Sequence, residues 1–325
     1  MSTEDRGAGI RDDVELEIEE LRREKNAVIL AHYYQAPEIQ DLADYVGDSL
    51  MLSRKAAQTE QDVIVFCGVR FMAETAKILN PTRTVVLPDM AASCSLVDGC
   101  PPAVFKAWRE RYPDHVVVTY INSSVELKAM SDYTCTSSNA VQIIRSLPPE
   151  QKIIFAPDKN LGAYLAKVTG REMRMWNGSC MVHEVFSEKH LVQHKERYPK
   201  ALVLAHPECE EAVLAHADHI GSTKSILDFA RKSDATQFLI GTEAHMIHAM
   251  AKGAPGKEFI PLPTSTGCAC NECPHMMKNT MEKLRDCLRD LKPAIHIDEE
   301  LRLAALKPID AMFRVCDGAL PTAGD

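Results

Sequence analysis

Eleven cysteines stand in this chain of 325 residues, and two of them, Cys94 and Cys180, are 86 residues apart. A third group, C-x-C-x-x-C at Cys268, Cys270 and Cys273, begins 88 residues after Cys180 and ends 93 after it. Thiolates hold zinc ions and iron–sulfur clusters. Three thiolates on a four-iron cluster leave one iron open, the setting for Lewis-acid chemistry on a substrate oxygen. Spacing alone favours Cys268 as the third ligand. Nearness to the following helix favours Cys273, because a helix N-terminus helps to hold a thiolate. With His275 the same loop also has the make-up of a local zinc or disulfide element. Cys67 ends an apolar run and Cys287 shares a stripe with Leu284, Leu288 and Leu291. Both read as small buried hydrophobes.

Polar residues recur with a similar period. LAHYYQAPE around His32 resembles LAHPECEEA around His206, and Tyr120 lies between them at intervals of 88 and 86 residues. A hydroxyl cluster keeps step: GDS at 47–49, TSS at 136–138 and GST at 221–223. Ser49, Ser137, Ser222 and Thr223 thus stand at helix starts, where a hydroxyl either caps the helix or binds an anion. Repetition in three matching places favours the anion. Tyr34 and Glu208 each lie two residues beyond a repeated histidine, and Asn122 two beyond Tyr120. His183 is three residues after Cys180.

The elements that must position these groups are legible as alternating strands and helices. AVILAHYYQ, VIVFCGVR, VVVTYINSS, KIIFAPDKNLG, ALVLAHPEC and FLIGTEAHM are apolar on both faces, as in parallel strands covered by helices. PEIQDLADY, FMAETAKIL, NLGAYLAKVTG and AHMIHAMAK read as helices between them. The fold class is therefore read as α/β: three similar three-layer αβα domains with parallel sheets around a pseudo-threefold axis, the alternative being three unrelated Rossmann-like half-units with coincidental spacing. Expected boundaries are 1–112 with an N-terminal helix, 113–199 and 200–298, followed by a helical segment 299–325 packing on the first domain. Ligands of such sheets bind beyond the carboxyl ends of the strands.

Composition fits a globular protein, with 46% hydrophobic and 26% charged residues. A net charge of −9 with no dense basic run argues against a nucleic-acid partner. No segment approaches the ~18 apolar residues of a membrane helix, and the polar N-terminus is no secretory signal. The expectation is a soluble, cytoplasmic protein whose cysteines serve something other than disulfides.

In order along the chain stand AHYYQ, GDS, FMAE, ASC, YINSS, CTSSNA, PDKNLG, SCMVHE, AHPEC, GST, GTE and CPHMMKNT. Together these resemble the quinolinate synthase family from about Glu19 to Phe313. The resemblance implies a [4Fe–4S] cluster bound by one cysteine per domain, matching Cys94, Cys180 and Cys273. It implies condensation of iminoaspartate with dihydroxyacetone phosphate to quinolinate, with L-aspartate oxidase as supplier of iminoaspartate. It makes His32 and His206 binding residues for carboxylate or phosphate oxygens, beside Ser49, Ser137, Ser222 and Thr223. Tyr120 and Asn122 then hold carbonyl and hydroxyl groups. Glu208 is the candidate general base, Tyr34 a candidate acid/base, and His183 reaches the same cavity. Glu74 and Asp158 read equally well as structural charges. Cys268 and Cys270 are extra thiols, with a redox-sensitive pair as one reading. The competing functions are a zinc- or iron–sulfur-stabilised metabolite-binding protein and a redox sensor.

Overall fold

Val28, Ile29, Leu30 and Ala31 are consecutive in one strand and all buried. Successive side chains of a strand point to opposite faces, so such a run needs cover on both sides. The computed structural model, which describes residues 3–317, meets this need with three wholly parallel four-stranded sheets. The first comprises β1 (Ala27–His32), β2 (Tyr45–Gly47), β3 (Val63–Cys67) and β4 (Thr84–Val86) in the order β2-β1-β3-β4. The second comprises β5 (Val116–Tyr120), β6 (Tyr133–Cys135), β7 (Ile153–Ala156) and β8 (Met173–Met175), ordered β6-β5-β7-β8. The third comprises β9 (Leu202–Ala205), β10 (His219–Ile220), β11 (Gln237–Gly241) and β12 (Glu258–Pro261), ordered β10-β9-β11-β12. All six runs read as strands from the sequence are β1, β3, β5, β7, β9 and β11, the two central strands of each sheet.

The chain forms two compact units. One is the stretch up to Ser93 together with Cys273–Ile297, and the other runs from Cys94 to Glu272 and resumes at Asp298. In the first unit, Val14 and Ile18 of the helix Thr3–Glu24 and Leu284 and Leu288 of the helix Met281–Asp290 bury one face of the sheet. The helices Ser49–Gln58 and Arg70–Leu79 pack together against this sheet as well. In the second unit, Phe105 and Leu127 pack on Val117 and Ile154 of the second sheet. Leu191 and Val213 pack on Val203 and Leu239 of the third.

These cores move three expected boundaries. The helix Pro102–Arg109 belongs to the second sheet, because fully buried Phe105 sits in that core and Trp176 Nε1 donates to the Gly99 carbonyl at 2.9 Å. The break therefore follows Ser93 and not residue 112. The stretch 273–297 does not close the third domain but returns to the first sheet, where Ile295 donates its N–H to the Val85 carbonyl. The helix Glu299–Cys316, expected on the first domain, packs on the second sheet's helix Val125–Ala129, on β6 and on the helix Ala140–Ser146. Thr134 anchors it there by donating to the Pro308 carbonyl at 3.1 Å. Among the described residues no helix is long and apolar enough to cross a membrane.

One device recurs in all three sheets. Asp44, Asp132 and Asp218 each stand just before the second strand and accept the N–H of Ile29, Val117 and Val203, every one at 2.8 Å. Each aspartate N–H also donates to the carbonyl of that same residue. A carboxylate holding a backbone N–H is a charge-assisted bond, stronger than a neutral one. It fastens the second strand beside the first, so the loops leaving both strands start from fixed points.

Candidate active site

The carboxyl end of β5 delivers Tyr120, and the turn after β9 delivers His206 and Glu208, all buried in the second unit. Tyr120 Oη donates to Glu208 Oε1 at 2.6 Å. The other carboxylate oxygen, Oε2, lies 2.8 Å from His183 Nδ1. His183 Nε2 is 3.0 Å from Thr242 Oγ1, and its ring stacks on His206 with centroids 4.6 Å apart. The backbone N–H of Glu208 donates to His206 Nδ1 at 3.3 Å. That bond directs His206 Nδ1 at the Glu208 backbone, and Nε2 faces Ser137 Oγ at 3.3 Å. The first unit repeats the arrangement, with the Tyr34 N–H donating to His32 Nδ1 at 3.2 Å. The two histidines matched in the sequence are thus held in the same way, each by the residue two positions on.

Two buried carboxyls are driven in opposite directions. Burial by itself would raise Glu208. The His206 and His183 rings beside it, with the bonds from His183 and Tyr120, outweigh burial and hold it below the usual carboxylate range. Asp158 is pushed well up, first by burial and then by the charge of Glu208. Its Oδ1 caps the helix Lys159–Thr169 by accepting from the Leu161 N–H at 2.7 Å. Its Oδ2 is buried without a hydrogen-bond partner among the described residues. Opposed shifts in neighbouring carboxyls are the pattern of acid–base sites. A carboxyl with a raised folded pKa keeps a proton that the unfolded chain has lost, so it lowers stability as pH climbs above its ordinary value of 3.8. Asp158→Asn keeps the cap and removes the titration. It is expected to remove the loss of stability that sets in above pH 3.8, which thermal melts of both proteins from acid to neutral pH check directly. Glu74 has a structural partner, Arg70 Nε at 2.7 Å.

Cys94 and Cys180 belong to this same unit. Ser95 Oγ accepts from the Met181 N–H at 3.1 Å and donates to the Ser179 carbonyl at 3.3 Å. One hydroxyl therefore ties the residue after Cys94 to the residues on either side of Cys180. Cys180 Sγ lies 3.2 Å from His183 Nδ1. Burial pushes its thiol well up, and the Glu208 carboxylate and the Cys94 sulfur push in the same direction. Such crowding of acidic groups is relieved by a metal, which takes the thiol as thiolate. Ligand atoms of Cys180, His183 and Glu208 all lie within 4.8 Å of one another, so the donor set suits a soft metal centre.

Of the readings open for the C-x-C-x-x-C loop, the disulfide is the one present: Cys268 and Cys270 are joined. Cys273 of the same loop is part-buried in the first unit.

The hydroxyls divide. Ser222 caps the helix Thr223–Lys232 by accepting from the Ser225 N–H and also accepts from Ser138 Oγ at 2.7 Å. Thr223 is buried beside it. Ser49 is not a cap: Asp48 takes that place by accepting from the Met51 N–H at 2.9 Å. Asn122 points a buried Oδ1 that has no partner among the described residues. Ser95, Thr242 and Ser138 escaped the sequence reading. Ser95 had a signal, since it directly follows Cys94, and Thr242 stands in the GTE motif.

Comparison with known proteins fits this geometry. The family model described as Quinolinate synthetase A protein matches residues 16–314. A quinolinate synthase of Chloroherpeton thalassium is 59% identical over 300 residues, covering 92% of this chain and 93% of its own. One of Synechocystis is 58% identical over 91% of this chain and 93% of its own, and one of Microcystis aeruginosa 56% over 95% and 97%. This chain is an enzyme, and it belongs to the quinolinate synthetase A family.

Proposed function

We propose that this enzyme condenses iminoaspartate with dihydroxyacetone phosphate to quinolinate, phosphate and two waters, in the cytoplasm and within de novo NAD biosynthesis. In this reading Cys94, Cys180 and Cys273 hold a [4Fe–4S] cluster. The observation that carries it is the Ser95 bridge, which brings two cysteines 86 residues apart beside the buried Tyr120–Glu208–His183 network. Reactants and products balance without net oxidation, so the residues have only to move protons and hold oxygens. When bound, the cluster supplies a Lewis-acidic iron for a substrate hydroxyl or carboxylate.

The side chains do the remainder. Glu208, held below the usual carboxylate range, is a weak base but a strong anchor. It orients the Nδ1–H of His183 and the hydroxyl of Tyr120, as the carboxylate of a catalytic triad orients its imidazole. Proton exchange with the substrate then falls to His183 Nε2 and Tyr120 Oη. His206 Nε2 and Ser137 Oγ together present donors for a carboxylate or phosphate oxygen. Ser222 and Thr223 open a ten-residue helix whose N-terminal N–H groups favour an anion. Asn122 offers an acceptor to a hydroxyl or an imine N–H. His32, Ser49 and Tyr34 are assigned on their motifs, the first two to anion binding and Tyr34 to acid–base work. L-aspartate oxidase is the proposed source of iminoaspartate.

A zinc ion on Cys180, His183 and Glu208 is the rival reading, favoured by their mutual reach of 4.8 Å. Purification without oxygen, metal and sulfide analysis, and an assay for quinolinate from the two substrates separate them. Iron with matching sulfide and product formation is the expected result. Zinc without sulfide, or a cluster-replete enzyme that makes no quinolinate, would overturn the proposal.

A further inference from the structure

Lys128 lies on the helix Val125–Ala129 with no exposed surface. Burying an ammonium is costly unless its protons are well bonded. Its Nζ donates to the Ile121 carbonyl at 2.8 Å and to the Ser123 carbonyl at 2.5 Å. These two carbonyls flank Asn122. The loop is tight besides: the Ser123 N–H donates to the same Ile121 carbonyl at 2.8 Å, and the Ile121 N–H reaches the Cys135 carbonyl at 2.8 Å. Within it, Asn122 Oδ1 and Ser123 Oγ are buried with no partners among the described residues. A buried acceptor left without a donor is destabilising, and a ligand N–H or O–H relieves it. A loop held rigidly in such a state binds that ligand group without ordering itself first.

We propose that Lys128 is a positioning residue: its ammonium clamps the backbone on both sides of Asn122 and holds the Asn122 carboxamide ready for a hydrogen-bond donor of the substrate. This rests on the reading that Asn122 meets the substrate. The helix that carries Lys128 has its own attachments. Ser124 caps it by accepting from the Leu127 N–H, Leu127 is in the core, and the helix Glu299–Cys316 covers it. The clamp is therefore separable from the anchoring of the helix. Lys128 is not expected to touch substrate, so its whole effect on catalysis passes through the loop.

The test is a double-mutant cycle with Lys128→Met, which keeps the length of the side chain and removes its donors, and Asn122→Ala. Steady-state quinolinate formation and Tm are measured for the cluster-loaded wild type, both single variants and the double variant. Each single variant is expected to lower kcat/KM by about tenfold, and Lys128→Met to add less than about twofold to Asn122→Ala. Effects of the two changes that simply multiply overturn the clamp, as does a Lys128→Met protein that fails to fold, since either assigns Lys128 to the scaffold. Wild-type activity in Asn122→Ala overturns the assignment of Asn122, and the clamp with it. A wild type that makes no quinolinate instead refutes the proposed reaction. In that case, an unchanged rate of proteolysis at the 121–124 loop in Lys128→Met refutes the clamp on its own.

Discussion

Glu208→Gln is expected to lower kcat by up to about ten-thousandfold, the loss that follows when the carboxylate orienting a catalytic imidazole becomes an amide, while the protein stays folded. The amide has the shape of the carboxylate but not its charge or its acceptor pair. Tyr120 and His183 each bond to one carboxylate oxygen. One of them must now face an NH2 group. The pH dependence carries the opposite sign to that of Asp158. A carboxylate held below its ordinary value of 4.5 stabilises the fold above that pH and ceases to do so as pH falls through its folded value. The gap in stability between the wild type and Glu208→Gln should therefore be widest near neutrality and close in strong acid. Stopped assays at saturating substrate, with circular dichroism as the check on folding, decide the matter. A kcat within a few-fold of wild type would end the role given to Glu208.

Cys94→Ala and Cys180→Ala are expected to lose iron and quinolinate formation to background, and Cys273→Ala to behave likewise, whereas Cys268→Ala keeps both. Cys94 and Cys180 of the second unit are tied to each other, because the Ser95 hydroxyl bonds to the backbone around Cys180. Ser95→Ala should give an intermediate result, about 10–100-fold weaker metal retention, as for other residues that orient ligands without binding metal. Metal uptake must also release protons, because burial, Glu208 and Cys94 hold the Cys180 thiol protonated. Loading should weaken as pH falls. Iron retained in Cys180→Ala, or lost in Cys268→Ala, would show that the ligand set is wrong.

The central strands were legible in the sequence because a parallel strand covered on both faces is an unbroken apolar run. β2, β6 and β10 were not, since two or three residues such as Tyr133–Cys135 or His219–Ile220 carry no period at all. Domain boundaries failed for a related reason. Phe105 and Leu284 are ordinary apolar residues of amphipathic helices, and nothing in their spacing says which sheet they will cover. The site was read at the level of residue types. His206, Glu208, Tyr120 and His183 were all named, yet the bonds among them span 88 and 25 residues, a distance over which no local pattern speaks. The disulfide between Cys268 and Cys270 was weighed only as one reading of their loop.

Asp44, Asp132 and Asp218 have a use beyond fastening strands. They are a ruler printed three times, and laid against it the chain aligns with itself. Counted from that mark, His32, Tyr120 and His206 share one column, while Tyr34, Asn122 and Glu208 share another two places on. The aspartate bonds and the strand order of each copy are the same, and the columns at the strand ends differ. A protein built this way supplies its own controls: exchanging residues within the first column, such as Tyr120 for His, changes chemistry at a strand end fastened by the same aspartate in every copy.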